Sequence, residues 1–117
     1  MFYITLADNE TVSQMVTELS EANFDTFVES NDIAIIDCWA PWCGPCRRMG
    51  PIIEEVAEEM KGKAGVAKLN TDENQAIAVR FNINAIPTLL VFKNQVLMDS
   101  LVGLRPKEDI VDYINEL

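Results

Sequence analysis

Two cysteines, Cys43 and Cys46, enclose a glycine and a proline in the segment WCGPC, and their types and spacing are suited to redox chemistry. They follow an apolar run and begin a segment with helical periodicity. At positions i and i+3 of a first helical turn, two side chains share one face, with Cα atoms about 5 to 6 Å apart, which is within the range of a disulfide. The spacing therefore predicts a disulfide that opens and closes with little backbone movement.

Cys43 is predicted to be the attacking member of the pair. Unpaired N–H groups and the positive end of the helix dipole favour a thiolate at a helix start, so we expect the pKa of Cys43 to be lowered. Pro45 takes a first-turn position where its missing N–H costs nothing, and Gly44 leaves room for another backbone near the sulfur. Cys43 would attack a disulfide in a partner, and Cys46 would resolve the mixed disulfide and release the reduced partner.

Asp37 is the candidate for the base that this second step needs. Cys46, one turn inside the helix, is expected to be more buried than Cys43 and mostly protonated. Asp37 lies within the apolar segment AIIDCW, where burial should raise its pKa towards neutrality and suit it to remove the proton from Cys46. A structural role, with Asp37 satisfied by Lys68, is the alternative, and both roles can hold together.

The elements that position these residues follow from the hydrophobic pattern. DIAIIDCW (32–39) predicts a central strand buried on both faces, and the stretch from Cys43 to Gly62 predicts the longest helix, with a kink at Pro51. Other strands are predicted at 16–19, 64–70, 87–94 and 95–103, the last two paired antiparallel. Other helices are predicted over 21–30 with Ser20 as N-cap, from near Glu73 to Phe81, and from Pro106 onward. This order predicts an α/β fold in which a central mixed β-sheet is flanked by helices on both faces, with the cysteines at the carboxyl end of the central strand.

Length and composition narrow the class of protein. The chain has 117 residues, enough for one domain over 16–117, and 1–15 are predicted to be an N-terminal extension of unknown role. A net charge of -10 disfavours nucleic acid and anionic membrane partners. The sequence contains no long apolar run and no basic leader segment, which predicts a soluble, cytoplasmic protein. We expect a monomer. The absence of histidine from the sequence excludes His-containing metal sites and Cys–His nucleophile pairs.

Four segments resemble the thioredoxin family: DCWAPWCGPCRRMGPI, AKLNTDEN, AIPTLLVFKN and VGLRPKEDI. The similarity extends from about Thr17 to Leu117. It implies a thioredoxin-like fold and a protein disulfide reductase with no bound cofactor, whose redox-active group is the Cys43–Cys46 disulfide. Its substrates would be disulfide-containing client proteins. Electrons would come from a separate thioredoxin reductase, because no nucleotide-binding glycine motif occurs in this sequence.

The resemblance also implies roles for the residues near the pair. It makes Cys43 the attacking cysteine, Cys46 the resolving cysteine and Asp37 the buried acid. The residues that would shape or modulate the site are Trp42 at its flank, Trp39 packed beneath it and Lys68 near the buried acid.

A further set of implied site residues lies around Pro87, which the resemblance makes a cis proline facing the disulfide. A proline that begins a buried strand is awkward in the strand ladder, which independently suggests a special role. The backbone of Ile86 would pair with an extended stretch of the client, and Gly103 would leave room for the client backbone.

The sequence departs from the family pattern at Arg47, where lysine is common, at Cys38, where an aromatic residue is common, and at Gln95, which replaces a hairpin glycine. Cys38 is interpreted as a small buried hydrophobe without a redox role. Three alternative functions stay open: an oxidase or isomerase, a metal or cluster binder that bridges two chains through the cysteine pair, and a binding module that uses only the groove near Pro87.

Overall fold

A computed structural model describes residues 15–117. The predicted N-terminal extension therefore lies outside the described residues, except for its last residue, Met15. The elements in chain order are β1 (Val16–Leu19), α1 (Phe24–Ser30), β2 (Ile33–Trp39), α2 (Gly44–Glu59), β3 (Gly65–Asn70), α3 (Gln75–Arg80), β4 (Thr88–Lys93), β5 (Val96–Val102) and α4 (Lys107–Asn115).

The five strands form one mixed sheet in the order β1-β3-β2-β4-β5. β3 pairs in parallel with both β1 and β2, whereas β4 pairs antiparallel with both β2 and β5. The sequence predictions of a mixed sheet, of β2 as its central strand and of an antiparallel β4–β5 pair are confirmed. Because β2 is the central strand, its carboxyl end lies in the middle of the row of strand ends at one end of the sheet. Helix α2 begins shortly after it.

Two apolar cores cover the two faces of the sheet, and strand alternation divides β2 between them. Ile35 belongs to the core under α2 and α4, which includes Met49, Ile53, Val56, Ile110 and Ile114. Ile36 and Cys38 belong to the opposite core under α1 and α3, where three rings, Phe24, Phe81 and Phe92, have centroids 5.2 to 6.0 Å apart. Burial on both faces explains the unbroken apolar run of β2.

Helix α2 begins directly after Cys43 and continues through Pro51 without a break. Its last residue precedes a C-cap at Met60, and Gly62 follows with a φ of 85°. The predicted role of Gly62 is therefore displaced by one position from C′ to C″, in a conformation that glycine adopts readily.

The prediction of Ser20 as the N-cap of α1 is wrong by almost one turn, because α1 begins after Asn23. Ser20 instead opens a tight turn. Its backbone N–H donates to Asn23 Oδ1 at 2.7 Å, and its carbonyl accepts the N–H of Phe24 at 3.0 Å. A serine can satisfy a turn as well as a helix start, and the local pattern does not distinguish the two.

Candidate active site

Cys43 and Cys46 form a disulfide at the start of α2, with their Cα atoms 5.2 Å apart. Cys43 is the N-cap residue, with extended backbone angles, and its Sγ accepts the backbone N–H of Cys46 at 3.2 Å. The sulfur thus occupies the place that a serine or aspartate oxygen takes in an ordinary N-cap. Once the disulfide is reduced, this N–H is available to a thiolate at Cys43, which is the charge state that the helix dipole also favours.

Both cysteines are almost covered, with 5% of Cys43 and 3% of Cys46 exposed. The exposed fractions of the two cysteines therefore differ less than expected from the prediction that Cys46 is more buried than Cys43. Their positions differ more clearly: Cys43 stands before the first helical residue and its Sγ lies 3.8 Å from the Ile86 carbonyl oxygen, whereas Cys46 lies within the helix.

Asp37 is buried on β2, on the face that carries α2. Burial raises the pKa of its carboxyl group to about 7, partly offset by the positive charge of Lys68, which lowers it. Lys68 is the direct neighbour of Asp37 on the adjacent parallel strand. Asp37 Oδ1 has no hydrogen-bond partner within the described part of the chain. A buried carboxyl group that titrates near neutrality can exchange a proton with a thiol at physiological pH.

Trp39 ends β2 beside this acid. Lys68 Nζ lies 5.8 Å from the centroid of the Trp39 ring, and the Trp39 carbonyl accepts the backbone N–H of Thr71 at 2.9 Å. Trp39 Nε1, like Asp37 Oδ1, is buried without a hydrogen-bond partner among residues 15–117. Two buried polar groups at alternate positions of β2, and so on the same face of the sheet, therefore lie near Lys68, whose charge acts on Asp37.

The segment before β4 borders the disulfide on another side. The Ile86–Pro87 peptide bond is cis, as the sequence predicted. The Pro87 carbonyl accepts the backbone N–H of Gly103 at 2.8 Å, which ties the residue after β5 to the start of β4. Gly103 has a φ of 99°, and apart from its chain neighbours no residue has an atom within 4 Å of the point where a Cβ would stand. The same is true of the space at Gly44, so both glycines leave open space at the site.

Trp42 is 68% exposed beside the disulfide, and its indole Nε1 donates to Asp72 Oδ2 at 2.9 Å. Asp72 was not among the residues predicted from the sequence, because 30 residues separate it from Trp42. The hydrogen bond that Arg47 Nη1 donates to the Pro41 carbonyl oxygen at 2.9 Å was not predicted either. The polar cluster TDEN, directly after the strand predicted at 64–70, was the available signal, since such residues form turns at the ends of strands.

Cys38 faces away from the disulfide, with none of its surface exposed. Its pKa is raised, first by burial and second by the negative charge of Asp37. A thiol in this environment behaves as a small apolar side chain. Within residues 15–117, moreover, no group of three or more His, Cys, Asp or Glu side chains is arranged to hold a metal ion.

Comparison with known proteins gives one consistent result. The thioredoxin family model matches residues 15–116. The chain belongs to the thioredoxin family. Thioredoxins from several Staphylococcus aureus strains are 40% identical to it over 101 residues, which cover 86% of this chain and 96% of theirs. The solved structure of a mutant thioredoxin from Halobacterium salinarum NRC-1 is similar with a TM-score of 0.80 and 33% identity, covering 86% of this chain and 88% of that one.

Members of the thioredoxin family are protein disulfide oxidoreductases that carry no cofactor and work with thioredoxin reductase and disulfide-containing substrates. The family assignment and the Cys43–Cys46 disulfide confirm the predicted fold class and the predicted class of thiol–disulfide chemistry. Among the described residues, no helix is both long enough and apolar enough to cross a membrane.

Proposed function

We propose that this protein reduces disulfides in a range of client proteins and is itself reduced by a separate thioredoxin reductase. The observation that carries the proposal is the Cys43–Cys46 disulfide at the start of α2, on the face of the sheet where the buried Asp37 lies. Reduction of such a disulfide to a dithiol takes up two electrons, which the dithiol can pass to a client, and a buried carboxyl group on the preceding strand that titrates near neutrality can take part in the accompanying proton transfer.

In the first step, the Cys43 thiolate attacks one sulfur of the client disulfide. A mixed disulfide forms between Cys43 and the client, and the other client sulfur leaves as a thiolate. The open space at Gly44 and Gly103 supports close approach of the client backbone. The carbonyl oxygen of Ile86 lies 3.8 Å from Cys43 Sγ, so an extended client segment can pair with this backbone while its sulfur reaches Cys43.

In the second step, Asp37 accepts the proton of the Cys46 thiol, and the Cys46 thiolate attacks Cys43 Sγ. The Cys43–Cys46 disulfide forms, and the second client sulfur leaves as a thiolate that takes up a proton. The client has then gained two electrons and this protein has lost two. Lys68 tunes the step, because its charge keeps the pKa of Asp37 lower than burial alone would set it.

Two electrons from the reductase restore the dithiol for the next cycle. The proposed location is the cytoplasm, where reductase systems keep such a pair reduced. The net charge of -10 supports a monomer that does not bind nucleic acid or anionic membranes, because equal negative charges repel one another.

Serine variants of the two cysteines test the proposal. In the reduction of insulin by dithiothreitol, we expect the wild-type protein to accelerate the reaction and both variants to be inactive. Cys46→Ser should accumulate mixed disulfides with client proteins, because Cys43 attacks but nothing resolves the bond. Cys43→Ser should form none. The measurement is insulin turnover together with non-reducing electrophoresis of the trapped species.

Cys38→Ser is the matched control, since it replaces the third cysteine, which faces the opposite core. It should retain turnover. Activity in both active-site variants would refute the assigned roles, and a wild-type protein without turnover would refute the reductase function itself.

A further inference from the structure

The contact between Trp42 and Asp72 joins two parts of the chain that border the disulfide. Trp42 directly precedes Cys43, and Asp72 lies in the turn that follows β3. The indole Nε1–H donates to Asp72 Oδ2 over 2.9 Å. Because Trp42 is 68% exposed, few other contacts restrain its ring, and this bond has a large influence on its orientation.

The backbone at Asp72 belongs to a turn that the side chains of two buried asparagines hold in place. Asn70 Oδ1 accepts the backbone N–H groups of Asp72 at 2.9 Å and of Glu73 at 3.3 Å. The Asn74 side chain donates to the Asn70 carbonyl oxygen at 3.0 Å and accepts the backbone N–H of Glu21 at 3.0 Å. Both asparagines are buried, so the fold fixes the backbone that carries the Asp72 carboxylate.

We propose that Asp72 is a positioning residue that presents the Trp42 indole to client proteins at the rim of the disulfide. The role rests on the proposed reductase function. A tryptophan whose ring is already oriented loses less conformational freedom when a client covers it. Its N–H is also satisfied before the client arrives, so burying the ring leaves no unpaired donor. Asp72 thus favours clients that offer an apolar surface beside their disulfide.

Two variants of Asp72 separate the hydrogen bond from the charge. Asp72→Ala removes the acceptor, and Asp72→Asn removes the charge but keeps an acceptor oxygen. With insulin as the client, we expect Asp72→Ala to raise KM roughly fivefold with little change in kcat, and Asp72→Asn to stay close to the wild-type protein. With hydroxyethyl disulfide, a small neutral disulfide that needs no docking surface, all three proteins should react at the same rate.

Two controls complete the design. Glu73→Ala removes the neighbouring exposed carboxylate. Within residues 15–117 the Trp42 indole N–H donates to Asp72 and not to Glu73, so this variant should leave KM for insulin unchanged. In a Trp42→Phe background, which lacks the indole N–H, Asp72→Ala should add nothing to KM.

The proposal is overturned if Asp72→Asn is as impaired as Asp72→Ala, since the charge would then be responsible. It is also overturned if the effect persists in Trp42→Phe or extends equally to hydroxyethyl disulfide. An unchanged KM in Asp72→Ala, with an active wild-type protein, defeats the positioning role alone. A wild-type protein that does not reduce insulin defeats the reductase function, and the positioning role with it.

Discussion

At the scale of single residues, Asp37 shows a conflict between stability and chemistry. Burial raises its pKa from an ordinary value of 3.8 to about 7, although the charge of Lys68 opposes the shift. Between these two pH values the folded protein holds a proton that the unfolded chain releases. The free energy of unfolding must therefore fall as pH rises through this window. A buried apolar or amide side chain at position 37 would avoid this loss.

Replacing Asp37 by asparagine should consequently stabilise the protein while impairing resolution of the mixed disulfide. We expect Asp37→Asn to increase the free energy of unfolding by roughly 4 kcal/mol at pH 8, with the gain shrinking towards zero near pH 4. Urea denaturation across this pH range measures the difference. In stopped-flow reduction of insulin, the wild-type rate should rise with pH through about 7 as the Asp37 carboxylate forms, a rise that the asparagine variant lacks.

Asp32→Asn is the matched control, because Asp32 is an exposed carboxylate one residue before the same strand. It should alter stability little at any pH in the range. If Asp37→Asn were instead less stable than the wild-type protein at pH 8, the Asp37 carboxylate would have to be a net stabilising group, and the argument from burial would fail.

At the scale of elements, the β4–β5 hairpin contains a turn that its sequence does not favour. Asn94 and Gln95 have φ angles of 50° and 71°, so both central residues are left-handed, as in a type I′ turn. Asparagine tolerates this conformation, whereas glutamine does not do so readily. The strands on either side, with their antiparallel register, hold the turn in place.

Gln95→Gly should therefore stabilise the protein by about 0.5 to 1 kcal/mol, after the greater freedom of glycine in the unfolded chain is subtracted. The measurement is the urea midpoint at an unchanged m-value. Gln95→Ala is the control: it removes the same side chain but keeps the Cβ, and it should give no gain. Equal stabilisation by both variants would show that the side chain, not the backbone angle, is the source of the effect.

Other elements show why sequence patterns predict some features and not others. The core face of α2 and the two-sided burial of β2 follow from the period of their apolar residues, and both are found. The start of α1 was misplaced, because Ser20 and Asn23 are both able to begin a helix and the choice depends on their mutual hydrogen bonds. Periodicity reports which face is buried, whereas caps depend on geometry that sequence spacing leaves undetermined.

At the scale of the whole molecule, the same distinction applies to the site. The Cys43–Cys46 disulfide and the burial of Asp37 could be predicted from the sequence, because the spacing of the cysteines and the apolar run around Asp37 are local features of the chain. Asp72 could not, since its contact with Trp42 depends on how the turn after β3 is held beside α2. The strand order that creates this proximity, β1-β3-β2-β4-β5, is itself a long-range property.

Charge acts on the molecule as a whole. A net charge of -10 on 117 residues produces repulsion within the compact state, and among residues 15–117 only two ion pairs lie within 4.0 Å, Arg80–Asp25 and Lys107–Glu59, both at the surface. Exposed pairs contribute little, and salt screens them as it screens the repulsion. Acidic residues also stand four apart on α2, at Glu54 and Glu58, where like charges destabilise a helix.

Salt should therefore stabilise this protein. Raising NaCl from low ionic strength to about 0.5 M is expected to increase Tm by about 5 °C, which corresponds to about 1 kcal/mol for a domain of this size. Glu58→Gln should raise Tm at low ionic strength and lose most of that advantage at high ionic strength, whereas a substitution that acts through packing would keep its effect. Thermal denaturation followed by circular dichroism measures both. A Tm that falls with salt would mean that the two surface ion pairs outweigh the net repulsion.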